Sequence, residues 1–391
     1  MKIDSVDFFY LSMPEIIDIG DGSQDALLVR VRAGGYEGWG ECEASPLTSI
    51  ASYVCPMSHS ACKPLKFSVE GMNINDVEDI HRISAAVHEN SLDLLQANHT
   101  LSGIDIALWD LLGKKLNEPV YRLLGYRQAF PKLPYASQLF GSTPEETFEK
   151  AQRTKQSGFR AVKFGWGPFG KAGVQNDVAH LAAAREGAGD SMHLMVDAGT
   201  AWVENTAPAK ERLAPLKKIN AYWLEEPFVN GALSAYHELS ASEPKVPLAG
   251  GEGCNTFVQA QAMIAYSGIS FIQIDAGRIG GITVAKRVAD LARAKQKTYV
   301  NHTFTSHLAL SASLQPYAGV EKHQISEYPV ELKPLAVEIS KEKIAIDKDG
   351  YIHVPERPGL GITVDTTALK KYLVDVEISV NGEKIYYSPE L

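Results

Sequence analysis

Three acidic segments, each following a short apolar run, constrain the fold of this chain more than any other feature. They are His193-Leu-Met-Val-Asp197, Ala221-Tyr-Trp-Leu-Glu225 and Val246-Pro-Leu-Ala-Gly-Gly-Glu252. Each run is typical of a short buried strand that ends at its acid. The acids are 28 and 27 positions apart, about the length of one strand–helix unit with its return loop. Successive parallel strands would therefore bring all three carboxylates to one rim.

A cation would relieve the repulsion among three carboxylates that converge on one rim. Asp197, Glu225 and Glu252 offer only oxygen donors, which suit Mg²⁺ better than Zn²⁺. The alternative is that each acid caps the helix that follows its strand. Three acids at equivalent positions favour the metal site.

From about Pro131 onward, short apolar segments alternate with alanine-rich helical stretches. The expected strands are Tyr135–Phe140, Ala161–Phe164, Leu194–Val196, Tyr222–Leu224, Leu248–Gly250, Phe271–Ile274, Thr298–Val300 and Gln324–Glu327. Eight such segments at a roughly 25–30-residue spacing predict a parallel (β/α) barrel over residues 131–354. A doubly wound open sheet is the alternative, and the lack of a GxGxxG motif after the first strand disfavours it.

The two ends of the chain predict a second, α+β unit. Residues 1–130 begin with strands and loops and continue with helices, and residues 355–391 return to β-like sequence with a hairpin turn at Asn381-Gly382. We expect both ends to form one capping domain. The segments Leu11–Gln24 and Ser45–Pro64 lack periodicity, which predicts long loops that cover a site and set its specificity.

Charge and hydropathy indicate which kinds of binding partner the protein is not expected to have. The net charge is −9 and no Lys/Arg block occurs, so a nucleic-acid partner is not expected. No run is long enough to span a bilayer and the first residues lack a signal-peptide core, so we expect no membrane partner and a cytoplasmic protein with reduced cysteines.

Polar side chains at the ends of other predicted strands are candidate catalytic residues. Lys163 could balance a substrate carboxylate or, if desolvated, serve as a base. Asp275 and His302 end two neighbouring strands, so the carboxylate could orient the imidazole as a general base. His307 competes for this role, but it lies five residues beyond the strand and is expected on the next helix.

Three further residues are candidate substrate contacts. Glu327 ends the eighth strand and could hydrogen-bond a substrate oxygen, and Trp166 could form an aromatic wall after Lys163. His59 lies in the predicted loop Ser45–Pro64 and could reach a substrate. A plain rim carboxylate is the alternative for Glu327. Loop packing, or a structural zinc held with Cys55 and Cys62, is the alternative for His59.

In combination, these motifs resemble the enolase superfamily, and Asp275 with His302 resembles its mandelate racemase subgroup. Besides the three acids, the resemblance rests on Gly38-Trp-Gly-Glu41, Ala107-Leu-Trp-Asp-Leu-Leu-Gly113, Trp223-Leu-Glu-Glu-Pro227 and Pro358-Gly-Leu-Gly-Ile-Thr-Val-Asp365. It implies a (β/α)₇β TIM-like barrel with an α+β capping domain made from the N-terminal part and the C-terminal tail. It also implies a homo-oligomer.

The resemblance assigns roles residue by residue. It implies that Asp197, Glu225 and Glu252 bind Mg²⁺, that Lys163 contacts the substrate carboxylate, and that His302 is the base. In the same resemblance Asp275 is the partner of His302, and Glu327 is the acid of strand eight. One departure is clear, because Gly165 stands where the family places its second lysine, and position 199 is also glycine.

The expected function is an Mg²⁺-dependent dehydratase of a small sugar acid, which removes the α-proton and eliminates water to give a 2-keto-3-deoxy acid. A cycloisomerase or epimerase of a sugar acid or lactone uses the same enolate chemistry and is the alternative. A more remote alternative is a metal-bound binding protein that has lost catalysis.

Overall fold

The computed structural model describes residues 1–391. The chain begins with a three-stranded antiparallel sheet in the order β1-β2-β3. Its strands are β1 (Ile3–Ser12), β2 (Asp25–Ala33) and β3 (Tyr36–Cys42), and a single 3₁₀ turn, Gly22–Gln24, precedes β2. One face of β1 and most of β2 are buried, so this sheet needs a cover on its apolar side.

Five helices follow: α1 (Pro46–Val54), α2 (Lys66–Val69), α3 (Val77–Asn90), α4 (Ala97–Leu116) and α5 (Val120–Leu123). Of these, α4 packs on β2 and β3 and supplies most of that cover. The longest, α4, is buried around almost its whole circumference, as expected of a helix that is apolar on all sides. It ends at Asn117, which takes the left-handed conformation with φ 56° that commonly terminates helices.

Glycines let strand β3 lie directly against the backbone of α4. A Cβ on Gly38 would lie 2.0 Å from the carbonyl oxygen of Ala107, and a Cβ on Gly40 would lie 2.1 Å from that of Gly103. Asp110 of α4 accepts hydrogen bonds from the backbone N–H of Trp39 at 2.8 Å and of Leu360 at 2.9 Å. Three motifs that are distant in sequence therefore meet at one buried carboxylate, which joins the N-terminal sheet to the C-terminal part.

Replacing Gly38 by alanine should destabilise the protein strongly. The added methyl would overlap the helix backbone, so β3 and α4 must separate, at an expected cost of at least about 3 kcal/mol in the free energy of unfolding. Gly231→Ala is the matched control, since its Cβ would meet nothing within 4 Å and should change stability by less than about 0.5 kcal/mol. Chemical denaturation measures both, and equal midpoints for the two variants would contradict this packing.

The middle of the chain forms an eight-stranded parallel barrel. Its strands are β4 (Leu133–Leu139), β5 (Ala161–Gly165), β6 (His193–Asp197), β7 (Trp223–Glu225), β8 (Leu248–Gly250), β9 (Phe271–Asp275), β10 (Thr298–His302) and β11 (Ile325–Pro329). Seven helices connect them: α6 (Pro144–Gln156), α7 (Val174–Ala188), α8 (Thr206–Lys218), α9 (Leu233–Ser242), α10 (Phe257–Tyr266), α11 (Gly281–Ala294) and α12 (His307–Leu314). The predicted (β/α)₇β architecture is confirmed.

Side chains fill the barrel and close its seam. Tyr135, Met195, Trp223 and Val300 pack together inside it and are fully buried, as in a TIM-barrel core. The hydrogen-bonded strand order runs from β10 to β11 without a ladder between these two ends. Asn301 bridges the gap, because its Oδ1 accepts from the Glu327 N–H at 3.0 Å and its Nδ2 donates to the Glu327 carbonyl at 3.3 Å.

The C-terminal segment returns to the N-terminal sheet, as predicted. After a second 3₁₀ turn, Gln315–Tyr317, and strand β11, the remaining elements are α13 (Pro334–Glu338), α14 (Thr366–Tyr372), β12 (Glu377–Val380) and β13 (Glu383–Tyr387). The N–H of Val374 donates to the carbonyl of Tyr10 at 2.8 Å, and the Tyr386 hydroxyl donates to that of Phe8 at 2.7 Å. The C-terminal hairpin thus lies on β1.

One loop prediction was wrong. Ser45–Pro64 is not a continuous loop, since α1 occupies Pro46–Val54. Pro46 stands in the first turn, where proline is favoured, and the buried residues Pro46, Ser49, Ile50 and Tyr53 follow the spacing of one helix face, a signal that the sequence analysis missed. The middle of Leu11–Gln24, residues 13–21, is irregular between β1 and the 3₁₀ turn, as predicted. No helix in the structure combines the length and the apolar character needed to cross a bilayer.

Candidate active site

A cavity of about 320 Å³ opens at the C-terminal ends of the barrel strands, beneath the loop that follows β1. Seventeen residues line it: Ile19, Gly20, Asp21, Gly22, Glu43, Ser137, Gln138, Leu139, Lys163, Gly165, Trp166, Asp197, Glu252, Arg278, His302, Phe304 and Glu327. In TIM-barrel enzymes this end of the barrel carries the catalytic residues.

Strand register brings the three acids to this rim. Asp197 and Glu225 end β6 and β7 and are paired directly across the two strands. Glu252 follows β8 after Gly251, whose φ of 121° and close approach to the Gln273 carbonyl exclude a side chain. This glycine turn allows Glu252 to follow the short strand β8 and still line the cavity.

Lys163 lies among the carboxylates. Its Nζ forms an ion pair with Glu225, lies 2.8 Å from Glu327 Oε1 and lies 3.6 Å from Asp197 Oδ2. Burial alone would lower the pKa of this amine, but Glu225 and Glu327 outweigh that effect and hold the pKa well above its usual range. Without a metal, these carboxylates favour the charged form of Lys163.

The acids have the chemistry of a divalent-cation site. Burial, together with the charges of neighbouring acids, raises the pKa of Asp197 to about 6 and that of Glu225 to about 8, even with the Lys163 ammonium beside them. The buried carboxylates of the rim outnumber the cations beside them, Lys163, Arg278 and His302, so the site is short of positive charge. Because Asp197, Glu225 and Glu252 offer only carboxylate oxygens, the set fits a hard cation such as Mg²⁺.

Across the rim, His302 and Asp275 form a buried pair. They end β10 and β9, are paired in register, and His302 Nδ1 lies 2.6 Å from Asp275 Oδ2. The other ring nitrogen, Nε2, lies 3.2 Å from Glu252 and 3.8 Å from Glu327. Burial lowers the pKa of His302, but the surrounding carboxylates and the Asp275 hydrogen bond raise it overall.

Glu327 links the two halves of the rim. It is fully buried, its Oε1 is 2.8 Å from Lys163 Nζ, and its Oε2 accepts from the backbone N–H of Thr303 at 2.9 Å. The carboxylate thus lies between the lysine and His302.

The side of the cavity where the family's second lysine would stand has no base. A Cβ on Gly165 would lie 2.8 Å from Asp197 Oδ2, and a Cβ on Gly199 would lie 3.0 Å from the Trp166 ring. Trp166 takes a left-handed backbone conformation with φ 56° and presents its ring to the cavity edge, 41% exposed. Gly165 and Gly199 therefore leave room for the Asp197 carboxylate and the Trp166 indole, respectively, where a larger residue would clash.

The structure does not bring His59 or His307 to this cavity. His59 is exposed, in a turn bridged to Cys62, and its Nε2 lies 3.3 Å from Asp93. His307 begins α12 and accepts a hydrogen bond from the Ile344 N–H at 3.2 Å, so it packs behind the barrel rim. The expectation of a substrate contact from His59 finds no support in this placement.

The sequence analysis gave no role to two charged cavity residues, Glu43 and Arg278. Arg278 pairs with Glu43 and with Glu252, at 3.3 Å, and ligand atoms of Glu43, Asp275 and His302 lie within 4.8 Å of one another. Glu43 lies two residues beyond the Gly38–Glu41 motif, and Arg278 lies three residues beyond Asp275. Their closeness in sequence to these motifs could have identified them as candidate site residues. The imidazole–carboxylate hydrogen bond and the arginine already satisfy this cluster, which is therefore an ion-pair network.

Comparison with known proteins supports the fold and the family. A solved structure described as a predicted mandelate racemase from Rhodobacter sphaeroides is 55% identical, covers 100% of both chains and superposes with a TM-score of 0.95. A 3,6-anhydro-alpha-L-galactonate cycloisomerase from Streptomyces coelicolor is 30% identical, over 71% of this chain and 73% of the relative. An L-talarate/galactarate dehydratase from Salmonella typhimurium is 28% identical, over 79% of this chain and 74% of the relative.

Two family descriptions match the chain. Residues 17–125 match the mandelate racemase / muconate lactonizing enzyme N-terminal domain, and residues 146–368 match the enolase C-terminal domain-like family. Together with the barrel and the capping sheet, these matches place it among enzymes that include sugar-acid dehydratases and cycloisomerases. The chain belongs to the mandelate racemase subgroup of the enolase superfamily.

Proposed function

We propose that the protein is an Mg²⁺-dependent dehydratase of a sugar acid, giving a 2-keto-3-deoxy acid. The observation that carries this proposal is the asymmetry of the rim. His302 is a buried imidazole held by Asp275 at 2.6 Å, whereas Gly165 and Gly199 leave the opposite side without a second base. Elimination on one face of the substrate needs only one such group.

Asp197, Glu225 and Glu252 would hold the metal ion. Bound Mg²⁺ would fix the substrate carboxylate and stabilise the negative charge that develops on its oxygens. Lys163 lies beside the same acids, with its Nζ 2.8 Å from Glu327 and 3.6 Å from Asp197. Its ammonium would pair with a substrate carboxylate oxygen as charge builds there.

His302 would move the proton. Asp275 occupies Nδ1, so His302 in its neutral form would accept the α-proton at Nε2, and the Asp275 carboxylate would stabilise the imidazolium that forms. The imidazolium then passes this proton to the β-hydroxyl oxygen on the same face, the C–O bond breaks, and water leaves. Glu327, between Lys163 and His302, is placed to hydrogen-bond a substrate oxygen. The resulting enol tautomerises to the 2-keto-3-deoxy acid.

A cycloisomerase is the second candidate, because a relative of that activity covers 71% of this chain at 30% identity. The same proton removal at His302 would then expel a ring oxygen instead of water. An epimerase requires a second acid/base on the opposite face of the planar intermediate. Lys163 is the candidate for that role, and its ion pairs with Glu225 and Glu327 hold its Nζ among the acids of the proposed metal site.

The test is a panel of sugar acids incubated with the Mg²⁺-loaded enzyme, with product identified by NMR. We expect at least one linear sugar acid to give a 2-keto-3-deoxy acid with loss of one water. Turnover confined to lactones or anhydro acids, with no loss of water, would replace the dehydratase proposal with the cycloisomerase.

A further inference from the structure

Strands β10 and β11 meet at the seam of the barrel without a hydrogen-bonded ladder, although each carries a residue of the proposed reaction centre. His302 ends β10, and Glu327 is the middle residue of β11. Both line the cavity, with His302 Nε2 3.8 Å from Glu327 Oε2. On the other side of β10, a regular ladder pairs His302 with Asp275. The spacing of His302 and Glu327 therefore depends on contacts other than a strand ladder.

The side chain of Asn301 makes the hydrogen bonds that a ladder would otherwise supply. It is fully buried. Its Oδ1 accepts from the Glu327 N–H at 3.0 Å, and its Nδ2 donates to the Glu327 carbonyl at 3.3 Å. Because a backbone N–H only donates and a carbonyl only accepts, these two groups fix the orientation of the amide. One side chain of β10 thus holds both main-chain groups of Glu327.

Three hydroxyl groups hold this amide in place. The Tyr317 hydroxyl donates to Asn301 Oδ1 at 2.8 Å, and the Ser326 hydroxyl lies 3.0 Å from the same oxygen. On the other end of the amide, Nδ2 donates to Ser313 Oγ at 3.0 Å. Every polar atom of the amide therefore has a partner, and a buried network that is fully satisfied is rigid. Asn301 does not line the cavity, so it does not touch a substrate there.

A further hydrogen bond connects the seam to the site. The N–H of Thr303, two residues beyond Asn301, donates to Glu327 Oε2 at 2.9 Å. The other oxygen of this carboxylate, Oε1, lies 2.8 Å from Lys163 Nζ. A shift of β10 relative to β11 would therefore move the Glu327 carboxylate relative to both His302 and Lys163.

Resting on the reaction proposed above, we infer that Asn301 is a positioning residue that sets the spacing between the His302 imidazole and the Glu327 carboxylate. Asn301 neither contacts the substrate nor moves a proton. It holds the strand that carries the proton-transfer group against the strand that carries the group proposed to bind a substrate oxygen. A misplacement of about 1 Å at a reacting centre can cost on the order of 100-fold in rate, so turnover should be sensitive to this seam.

Asn301→Ser tests the inference, because the shorter side chain cannot hold both main-chain groups of Glu327. We expect kcat to fall on the order of 10- to 100-fold in the folded, Mg²⁺-loaded enzyme, with KM changed by less than about threefold. Mg²⁺ affinity should stay at the wild-type value, since the ladders that join β6, β7 and β8 are remote from the seam. Circular dichroism at the assay temperature checks the fold. A merely structural role would lower thermal stability and leave kcat of the folded enzyme unchanged.

Hydrogen exchange followed by mass spectrometry tests the seam without reference to the reaction. In Asn301→Ser the slowest-exchanging amides of residues 325–329, which include the Glu327 N–H, should exchange at least about tenfold faster, and those of residues 193–197 in β6 should not change. The matched control is Asn205→Ser, the same change at the exposed N-cap of α8, where serine also caps a helix. It should keep wild-type exchange and kcat.

Tyr317→Phe is the second variant, and it keeps the ring while removing one hydrogen bond to the Asn301 amide. It should lower kcat several-fold in the same direction. Unchanged exchange at residues 325–329 in folded Asn301→Ser, or wild-type kcat despite faster exchange, would overturn the inference. If Asn301→Ser does not fold, wild-type kcat in Tyr317→Phe would overturn it.

These measurements fail separately from the proposed function. If the unmodified protein dehydrates no sugar acid, the dehydratase proposal is contradicted. The hydrogen exchange of residues 325–329 would then still decide whether Asn301 holds the seam, and the rate of substrate α-proton exchange in D₂O would replace kcat as the measure of positioning.

Discussion

His302→Asn should abolish dehydration. The imidazole is proposed to take the α-proton and then deliver it to the leaving hydroxyl, and one general acid/base group typically contributes ~10²–10⁴-fold. A single group that serves both steps should therefore reduce kcat by at least about 10⁴-fold when it is lost. Asparagine preserves a polar group that can still hydrogen-bond Asp275, so the fold should survive. Steady-state rates of 2-keto product formation measure the loss.

The matched control is His237→Asn, which makes the same chemical change at an exposed position on α9. It should retain wild-type kinetics. The informative double variant adds Lys163→Ala to His302→Asn. If α-proton exchange in D₂O survives in His302→Asn and disappears in the double variant, Lys163 acts as a base and the one-sided mechanism is wrong.

Glu252→Gln should weaken Mg²⁺ binding by at least about 100-fold, because it removes one of three proposed carboxylate ligands. The fold should persist, since Glu252 is held by Arg278 at 3.3 Å and His302 at 3.2 Å in ion pairs at the cavity rim and not by core packing. Isothermal titration with Mg²⁺ gives the affinity, and thermal denaturation confirms the fold.

Glu321→Gln is the control for this measurement, since Glu321 is exposed and makes no salt bridge. Its Mg²⁺ affinity should equal that of the unmodified protein. An unchanged affinity in Glu252→Gln, together with wild-type turnover, would show that the three acids do not form the metal site.

The barrel could be predicted from the sequence because each of its strands is a short apolar segment that can be recognised locally. The apolar runs before Asp197, Glu225 and Glu252 are buried on both faces of the barrel sheet, so composition and spacing located them correctly even for β7 and β8, which have only three residues each. Asp275 and His302 were found for the same reason, since parallel register places equivalent strand ends side by side.

Long-range contacts were beyond the reach of these patterns. The helix α1 within Ser45–Pro64, by contrast, was a missed local signal, since Pro46, Ser49, Ile50 and Tyr53 have the spacing of one buried helix face. Arg278 reaches Glu43, which lies 235 residues away along the chain. His59 lies in a segment whose position cannot be predicted from local sequence, and its imidazole contacts Asp93 and not the cavity.

The most direct test of one-sided chemistry follows a sugar-acid substrate by proton NMR during partial turnover in D₂O with Mg²⁺. With His302 as the only acid/base, deuterium should appear at C3 of the 2-keto-3-deoxy product. The recovered substrate should keep its configuration at C2, whether or not its α-proton has exchanged. Accumulation of the C2 epimer would show that a second group protonates the opposite face, and it would contradict the proposed mechanism.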